Sequence, residues 1–336
     1  MTVASGVGSW PGTDAEEYAE AVRVVLGELP DLPYLPELPA RGATAGMTGR
    51  TLAVIGDLGF DLQPAGWRLT DAPGADHRRA RSLLAEDLDA LEEQAGGLVG
   101  ELKVQVAGPW TLAATVERPR GDKILADHGA RRELAQGLAE GVAGHLHDVR
   151  RRVDAERVVV QVDEPALPSV LAGTVPTASG FGKHRVVHPP AASEALTWVL
   201  EQAGPEPWVH SCAPGTPWTM LRQAGARGLS GDLTVLTADD LDAFAEALEA
   251  GERVALGVVP ATEPDTTPSE VSLTERVLRV LDVLGLDPDA VSDRLVITPA
   301  CGLAGASPEW ARTATDLCRA VARNLSGESE TEAHRR

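Results

Sequence analysis

The sequence predicts an α/β protein folded as a single (β/α)8 barrel, also called a TIM barrel. Short apolar, β-branched segments alternate with amphipathic segments of helical length, and Gly, Pro or Asp separates them, as in βα units around a parallel sheet. Eight such units follow one another without a Pro/Ser-rich linker, which favours one barrel over two domains. A chain of 336 residues, 43% of them hydrophobic, is long enough to bury one core of this size.

Each predicted strand is an apolar run that stops at polar or turn-forming residues. The eight strands are residues 2–9, 31–38, 102–107, 157–163, 207–212, 229–236, 253–259 and 294–299. The helices are residues 15–26, 80–98, 130–149, 193–202, 217–224, 238–250, 272–284 and 308–324, with caps expected at Thr13-Asp14, Thr237 and Ser307-Pro308. We expect residues 39–79 to form an excursion over the barrel mouth, residues 1–325 to form the barrel domain, and residues 326–336 to be a disordered tail.

The charge balance narrows the class of partner. The chain carries 50 acidic and 30 basic residues, a formal net charge of −20, which repels nucleic acid and anionic membrane surfaces. It contains no apolar run of the roughly 18 residues that a membrane helix needs, and the N-terminus lacks the pattern of a secretory signal. We therefore expect a cytoplasmic protein that binds a small molecule or another protein.

The cysteines indicate free thiols or metal ligands. Three cysteines are too few for a disulfide framework in a chain of this length, and an odd number cannot all pair. Cys318 lies at helical spacing with Leu317 and Val321, so it is predicted to be a buried helix residue. Cys212 and Cys301 instead fall at the ends of predicted strands five and eight.

A zinc site is predicted at these strand ends. His210 and Cys212 are two residues apart on a strand, so both side chains point to the same face. Cys301 reaches the same barrel mouth, where reacting groups collect in this fold. Thiolate and imidazole ligands suit zinc, and three protein ligands leave a position open for substrate. The alternative, two small buried cysteines and a hydrogen-bonded core histidine, stays open.

Other strand ends supply polar candidates with competing explanations. Asp163 and Glu164 are neighbours on strand four, so at most one of them faces the mouth, and either one could form a salt bridge or cap a helix. Ser9 is also a reasonable turn residue before Pro11, and Asp232 a reasonable solvated strand end.

Five motifs together carry a family resemblance. In this order and spacing, VGSWPGT, AGPWTL, VQVDEPAL, HSC and PACGL resemble the catalytic domain of cobalamin-independent methionine synthase, and most closely its short, single-barrel members. The resemblance implies a zinc-dependent methyltransferase that moves a methyl group to the thiol of homocysteine and so forms methionine. The catalytic residues it implies are Asp163, His210 and Cys212.

The resemblance also implies ligand sets. The zinc ligands of the family correspond to His210, Cys212 and Cys301, and Asp232 stands where the family has a glutamate. Its homocysteine site corresponds to Ser9, the backbone at Val7, and Asp163. A carboxylate can hold the substrate ammonium while serine and backbone N–H groups hold the substrate carboxylate.

Departures from the family pattern concern specificity and the methyl donor. A family glutamate is replaced around Arg41 and Gly42, and a family histidine after strand seven is replaced in GVVPATE. The second, N-terminal barrel of the long members is not expected here. The donor is therefore open between a methyl-folate and a methylcorrinoid, free or on a corrinoid protein. Three other readings stay open, namely a corrinoid-linked thiol methyltransferase, a uroporphyrinogen-decarboxylase-like lyase and a non-catalytic zinc- or thiol-binding protein.

Overall fold

The computed structural model describes residues 1–98 and 100–327 and contains one large parallel sheet. Its strands are β1 (Val3–Ala4), β4 (Glu101–Ala107), β5 (Arg157–Asp163), β6 (Trp208–Ser211), β7 (Gly228–Asp232), β8 (Arg253–Val259) and β9 (Leu295–Pro299). They pair in the order β1-β9-β8-β7-β6-β5-β4, so each strand lies beside its neighbour in the chain except where the order wraps from β9 to β1. A separate antiparallel hairpin consists of β2 (Gly59–Gln63) and β3 (Gly66–Thr70).

The predicted second strand, residues 31–38, is not a regular strand, and the large sheet has seven strands rather than eight. The segment reads DLPYLPEL, and prolines lack the N–H that a continuous ladder needs. It nevertheless bonds to both edges of the sheet. The Leu35 N–H donates to the Lys103 carbonyl on β4 (2.9 Å), and the Glu37 N–H donates to the Gly8 carbonyl beyond β1 (3.0 Å).

Twelve α-helices surround the sheet in the described residues. They are α1 (Ala15–Glu28), α2 (Met47–Val54), α3 (Ala75–Gln94), α4 (Pro109–Thr115), α5 (His128–Arg152), α6 (Leu167–Ala172), α7 (Pro189–Gln202), α8 (Trp218–Gln223), α9 (Ala238–Glu249), α10 (Glu270–Val283), α11 (Pro288–Val291) and α12 (Pro308–Leu325). Side chains at the predicted caps Asp14, Thr237 and Ser307 accept backbone N–H bonds at the starts of α1, α9 and α12. No helix in this part of the chain has the length and apolar character needed to cross a bilayer.

The core has two parts. A large one lies between the sheet and the helices. A small separate cluster joins residues 31–38 to four strands of the sheet, and it consists of Leu32, Val159, Trp208, Ala255 and Val296. Trp208 is fully buried there, and a side chain on Gly228 would approach its ring to 2.2 Å, so this position requires glycine. Polar side chains collect one layer closer to the carboxyl ends of the strands.

The excursion over residues 39–79 holds α2 and the hairpin, and buried ions fasten it to α3. Asp87 on α3 accepts two hydrogen bonds from Arg41 (2.8 and 2.7 Å) and a further one from Arg50. At the other end of the chain, α12 ends at Leu325. Residues 328–336 of the predicted tail lie outside the described residues, so the tail stays a prediction, as does the division at residue 325.

Candidate functional site

Strand register builds the centre of the site. Asp163, His210 and Ser230 are directly paired across β5, β6 and β7, near the carboxyl ends of the strands. Nδ1 of His210 lies 2.9 Å from Oγ of Ser230, and this bond fixes the ring orientation. Nε2 of His210 is buried and has no hydrogen-bond partner in the described residues. A buried imidazole nitrogen of this kind is suited to a metal.

The structure brings the three predicted zinc ligands together. Cys212 directly follows β6 and Cys301 lies two residues beyond β9. One ligand atom from each of His210, Cys212 and Cys301 lies within 4.8 Å of the others. The two sulfur atoms are 2.7 Å apart, longer than a disulfide bond of about 2.05 Å, and both cysteines are free.

The electrostatics of the two thiols also fit a cation. The hydrogen bond from Cys212 lowers the pKa of Cys301, and the neighbouring His210 lowers it further. The contact with Cys301, burial and the charge of Asp232 raise the pKa of Cys212. Two half-buried thiols in contact, beside an imidazole nitrogen without a hydrogen bond, form a donor set that suits zinc, since zinc binds thiolate and imidazole at about 2.0–2.3 Å.

Asp232 is not brought into this group. It ends β7, and its Oδ1 accepts hydrogen bonds from the backbone N–H (2.8 Å) and the hydroxyl (2.7 Å) of Thr234. Its charge adds to the raised pKa of Cys212, after the contact with Cys301 and burial, but its ligand atoms lie outside the cluster of three. Its role as the fourth ligand stays a prediction that requires the carboxylate to turn.

The strand alternation separates the two neighbouring carboxylates. Asp163 is 7% exposed, and its Oδ1 accepts a 2.8 Å hydrogen bond from Nε2 of Gln161. Burial raises the pKa of Asp163 to about 7, although His210 opposes the shift. Glu164 points away and accepts the N–H bonds of Trp110 and Thr111 at the start of α4, both 2.9 Å. Asp163 is therefore the one that lies on the same side as His210, its partner on the neighbouring strand.

The turn after β1 approaches the end of β9. Oγ of Ser9 accepts a 3.3 Å hydrogen bond from the Ala304 N–H, and a side chain on Gly302 would lie 2.1 Å from Oγ of Ser9. Within residues 1–98 and 100–327, the backbone N–H groups of Val7, Gly8 and Ser9 make no hydrogen bond. Such consecutive free N–H groups are suited to an anion.

Three buried polar residues at the site escaped the sequence-based selection. Glu37 is 6% exposed, lies 3.0 Å from Nε2 of Gln105 and raises the pKa of Asp163. Lys103 and Gln161 lie on β4 and β5, earlier on their strands than the level of Asp163, and Nζ of Lys103 donates to Oε1 of Gln161 (2.8 Å). For Lys103 and Gln161 the sequence does contain a signal, namely polar residues two positions apart in the otherwise apolar strands LKVQVA and VVVQVD. Arg41, which stands near the position of a family glutamate, forms an ion pair with Asp87 (2.7 Å).

Comparison with protein families identifies the family of this chain. The family model described as "Cobalamin-independent synthase, Catalytic domain" matches residues 103–324, which include Asp163, His210, Cys212, Asp232 and Cys301. The chain belongs to this family. The resemblance expected from the five motifs is thus confirmed. No curated protein matches the sequence.

Solved structures give a fold comparison for this family member. A B12-independent methionine synthase from Shewanella sp. W3-18-1, in complex with selenomethionine, aligns with a TM-score of 0.63 at 15% identity, over 98% of both chains. The carboxyl transferase domain of Rhizobium etli pyruvate carboxylase, with pyruvate and biocytin, aligns with a TM-score of 0.33 at 13% identity, over 98% of this chain and 54% of that one. The first match shows that the α/β architecture is shared.

Proposed function

We propose that this protein is a zinc-dependent methyltransferase that transfers a methyl group to the thiol of homocysteine and forms methionine. One observation carries the proposal: the ligand atoms of His210, Cys212 and Cys301 lie within 4.8 Å of one another, beside a buried aspartate. Membership in the cobalamin-independent synthase family supports it. So does the selenomethionine in the Shewanella structure, since selenomethionine is the selenium analogue of the product.

His210, Cys212 and Cys301 would hold the zinc ion, with Asp232 as the fourth ligand after its carboxylate turns. Bound there, zinc supplies a positive charge that stabilises a substrate thiolate at neutral pH. The two cysteines supply negative charge, which keeps the substrate sulfur nucleophilic. The hydrogen bond of Ser230 keeps the imidazole of His210 in the ligating orientation.

The amino-acid part of homocysteine would lie across the turn after β1. The substrate ammonium is paired with Asp163 and with the nearby carboxylate of Glu37. The free N–H groups of Val7, Gly8 and Ser9, together with the Ser9 hydroxyl, hold the substrate carboxylate. The two opposite charges of the substrate are thereby each matched by a group of the protein.

Three further parts of the proposal concern the surroundings. Residues 33–37, bonded to both edges of the sheet, would close it as the eighth member of a barrel. Two reduced thiols favour a cytoplasmic location, where disulfides are rare. The methyl donor is a methyl-folate or a methylcorrinoid. The family histidine that acts on the donor is replaced in the segment that contains Pro260 and Thr262, so an assay must distinguish the two donors.

Metal analysis tests the centre of the proposal. The purified protein should contain about one equivalent of zinc, and Cys212→Ser should retain less than a tenth of it, because a hydroxyl is a poor replacement for a thiolate ligand. Cys318→Ala is the matched control, since Cys318 is fully buried in α12, outside the ligand cluster, and this variant should keep its zinc. Wild-type protein with under a tenth of an equivalent after zinc reconstitution would contradict the proposal.

Methionine formation tests the reaction. Homocysteine with methyl-tetrahydrofolate and homocysteine with methylcobalamin should be assayed in parallel, and activity with either should be lost with the zinc in Cys212→Ser. Activity with methylcobalamin alone would assign the enzyme to corrinoid-linked methyl transfer. Zinc and thiol binding without turnover on either donor would favour the non-catalytic binding protein.

A further inference from the structure

Lys103 is a charged residue inside an apolar strand, and it is fully buried. Burying an ammonium costs several kcal/mol unless its hydrogen bonds are satisfied. Here Nζ donates to the Val7 carbonyl and to Oε1 of Gln161, both at 2.8 Å, and it lies 5.4 Å from the centre of the Tyr34 ring. None of these contacts is needed to bind zinc or substrate directly.

The chemistry of these donors fixes the direction of the Gln161 amide. An ammonium can only donate, so Gln161 must turn its oxygen toward Lys103. Its nitrogen then faces the other way and donates to the Val7 carbonyl (2.9 Å) and to Oδ1 of Asp163 (2.8 Å). Without the cation, the amide could turn over and present an oxygen to the Asp163 carboxylate.

We propose that Lys103 is a positioning residue of the amino-acid site, acting on Asp163 through the orientation of Gln161. Lys103 on β4 and Gln161 on β5 both bond to the Val7 carbonyl, so the same pair also holds the turn after β1 against these two strands. Oδ1 of Asp163 is thereby occupied, and Oδ2 is left for the substrate ammonium. The inference rests on the proposed function, since it assigns how the homocysteine site is held.

The charge of Lys103 has a second effect on the same pocket. Burial lowers the pKa of Lys103 to about 8, whereas the nearby acids Asp163 and Glu37 raise it and so favour the charged ammonium. Its positive charge lowers the pKa of both Asp163 and Glu37, against the burial that raises them, and so favours the carboxylate form that a substrate ammonium needs. Its fixed donors and its charge therefore act in the same direction.

Binding of L-methionine and L-homocysteine to the zinc-loaded protein, followed by titration calorimetry, tests the inference. Gln161→Glu keeps an acceptor for Lys103 but replaces the donor to Asp163 with a negative oxygen. Both this variant and Lys103→Met should weaken binding about ten- to a hundredfold, the range for one hydrogen bond to a charged group. Zinc content should stay at the wild-type level. Lys183→Met, at an exposed lysine, is the matched control and should bind as the wild type does.

A double variant distinguishes positioning from general support of the fold. If Lys103 acts mainly through Gln161, Lys103→Met combined with Gln161→Leu should lose clearly less affinity than the product of the two single losses. Independent effects that multiply, or wild-type affinity in Gln161→Glu, would overturn the inference while leaving the proposed function intact. Absence of binding by the zinc-loaded wild type would overturn both. If Lys103→Met does not fold, Gln161→Glu alone decides, because it leaves Lys103 with an acceptor.

Discussion

Gly302 lies against Ser9 with no room for a side chain, so Gly302→Ala is a sensitive perturbation. A methyl group there would lie 2.1 Å from Oγ of Ser9 and 3.2 Å from its Cβ. The hydroxyl must rotate away and give up its bond from the Ala304 N–H, which is 3.3 Å long. An off-rotamer side chain costs about 0.5–1.5 kcal/mol and a lost hydrogen bond about 1 kcal/mol. Gly302→Ala should therefore lower the free energy of unfolding by about 2 kcal/mol.

The same rotation removes the Ser9 hydroxyl from the proposed carboxylate site. Gly302→Ala should weaken homocysteine binding about tenfold and match Ser9→Ala in this respect. The double variant Ser9→Ala with Gly302→Ala has no hydroxyl to displace, so it should regain stability over Gly302→Ala but not affinity. Urea unfolding and calorimetry measure the two effects separately.

Gly305→Ala is the control, because its methyl group would meet only a Thr262 methyl, at 3.6 Å. It should change neither stability nor affinity measurably. Wild-type affinity in Gly302→Ala would refute a substrate contact at Ser9. A double variant no more stable than Gly302→Ala would refute the steric reasoning itself.

Two further predictions concern buried ions. Asp87→Asn should lower the free energy of unfolding by about 3–5 kcal/mol in urea, because it leaves Arg41 and Arg50 buried without a full counter-charge, whereas Asp89→Asn, at an exposed pair, should cost under about 1 kcal/mol. Burial lowers the pKa of His145 from 6.5 to about 4. Below pH 6.5 the imidazole is therefore protonated in the unfolded chain while it stays neutral in the folded one, and stability falls. Between pH 7 and 5 the wild type should lose about 2 kcal/mol on this account, and His145→Gln should not; equal losses would show that His145 is not responsible.

Much of the fold was predictable because regular elements have a period in the sequence. Six predicted strands overlap β4 to β9, and the capped helices begin where expected. The segment over residues 31–38 was harder, because its apolar residues read as a strand while its prolines remove ladder donors. The hairpin β2–β3 was missed since its residues GFDLQ and GWRLT pair locally, outside the repeating βα pattern.

The site was predictable where a rare residue type falls at a strand end. His210, Cys212 and Cys301 are such residues, and the structure clusters them. Asp232 is a common residue whose position gave no sign of its turn with Thr234, and Glu37 lies in a segment with no clear period. Lys103 and Gln161 could have been found as polar residues that recur at the two-residue period of a strand. The period does not tell whether that face of the strand points toward the site or toward a helix, because this depends on packing.

The two halves of the site depend on different parts of the fold. His210 and Cys212 are placed by the pairing of β6 with its neighbours, which regular backbone hydrogen bonds maintain. Ser9 and Glu37 are placed by irregular backbone, two isolated bridges (Ser9 with Glu37 and Tyr34 with Lys103) and a few side-chain bonds. Loosening the proline-rich segment should therefore disturb homocysteine affinity well before zinc affinity, because register in a paired strand is cooperative while an isolated bridge is not. The bond from Lys103 to the Val7 carbonyl joins this irregular segment to the regular strand β4.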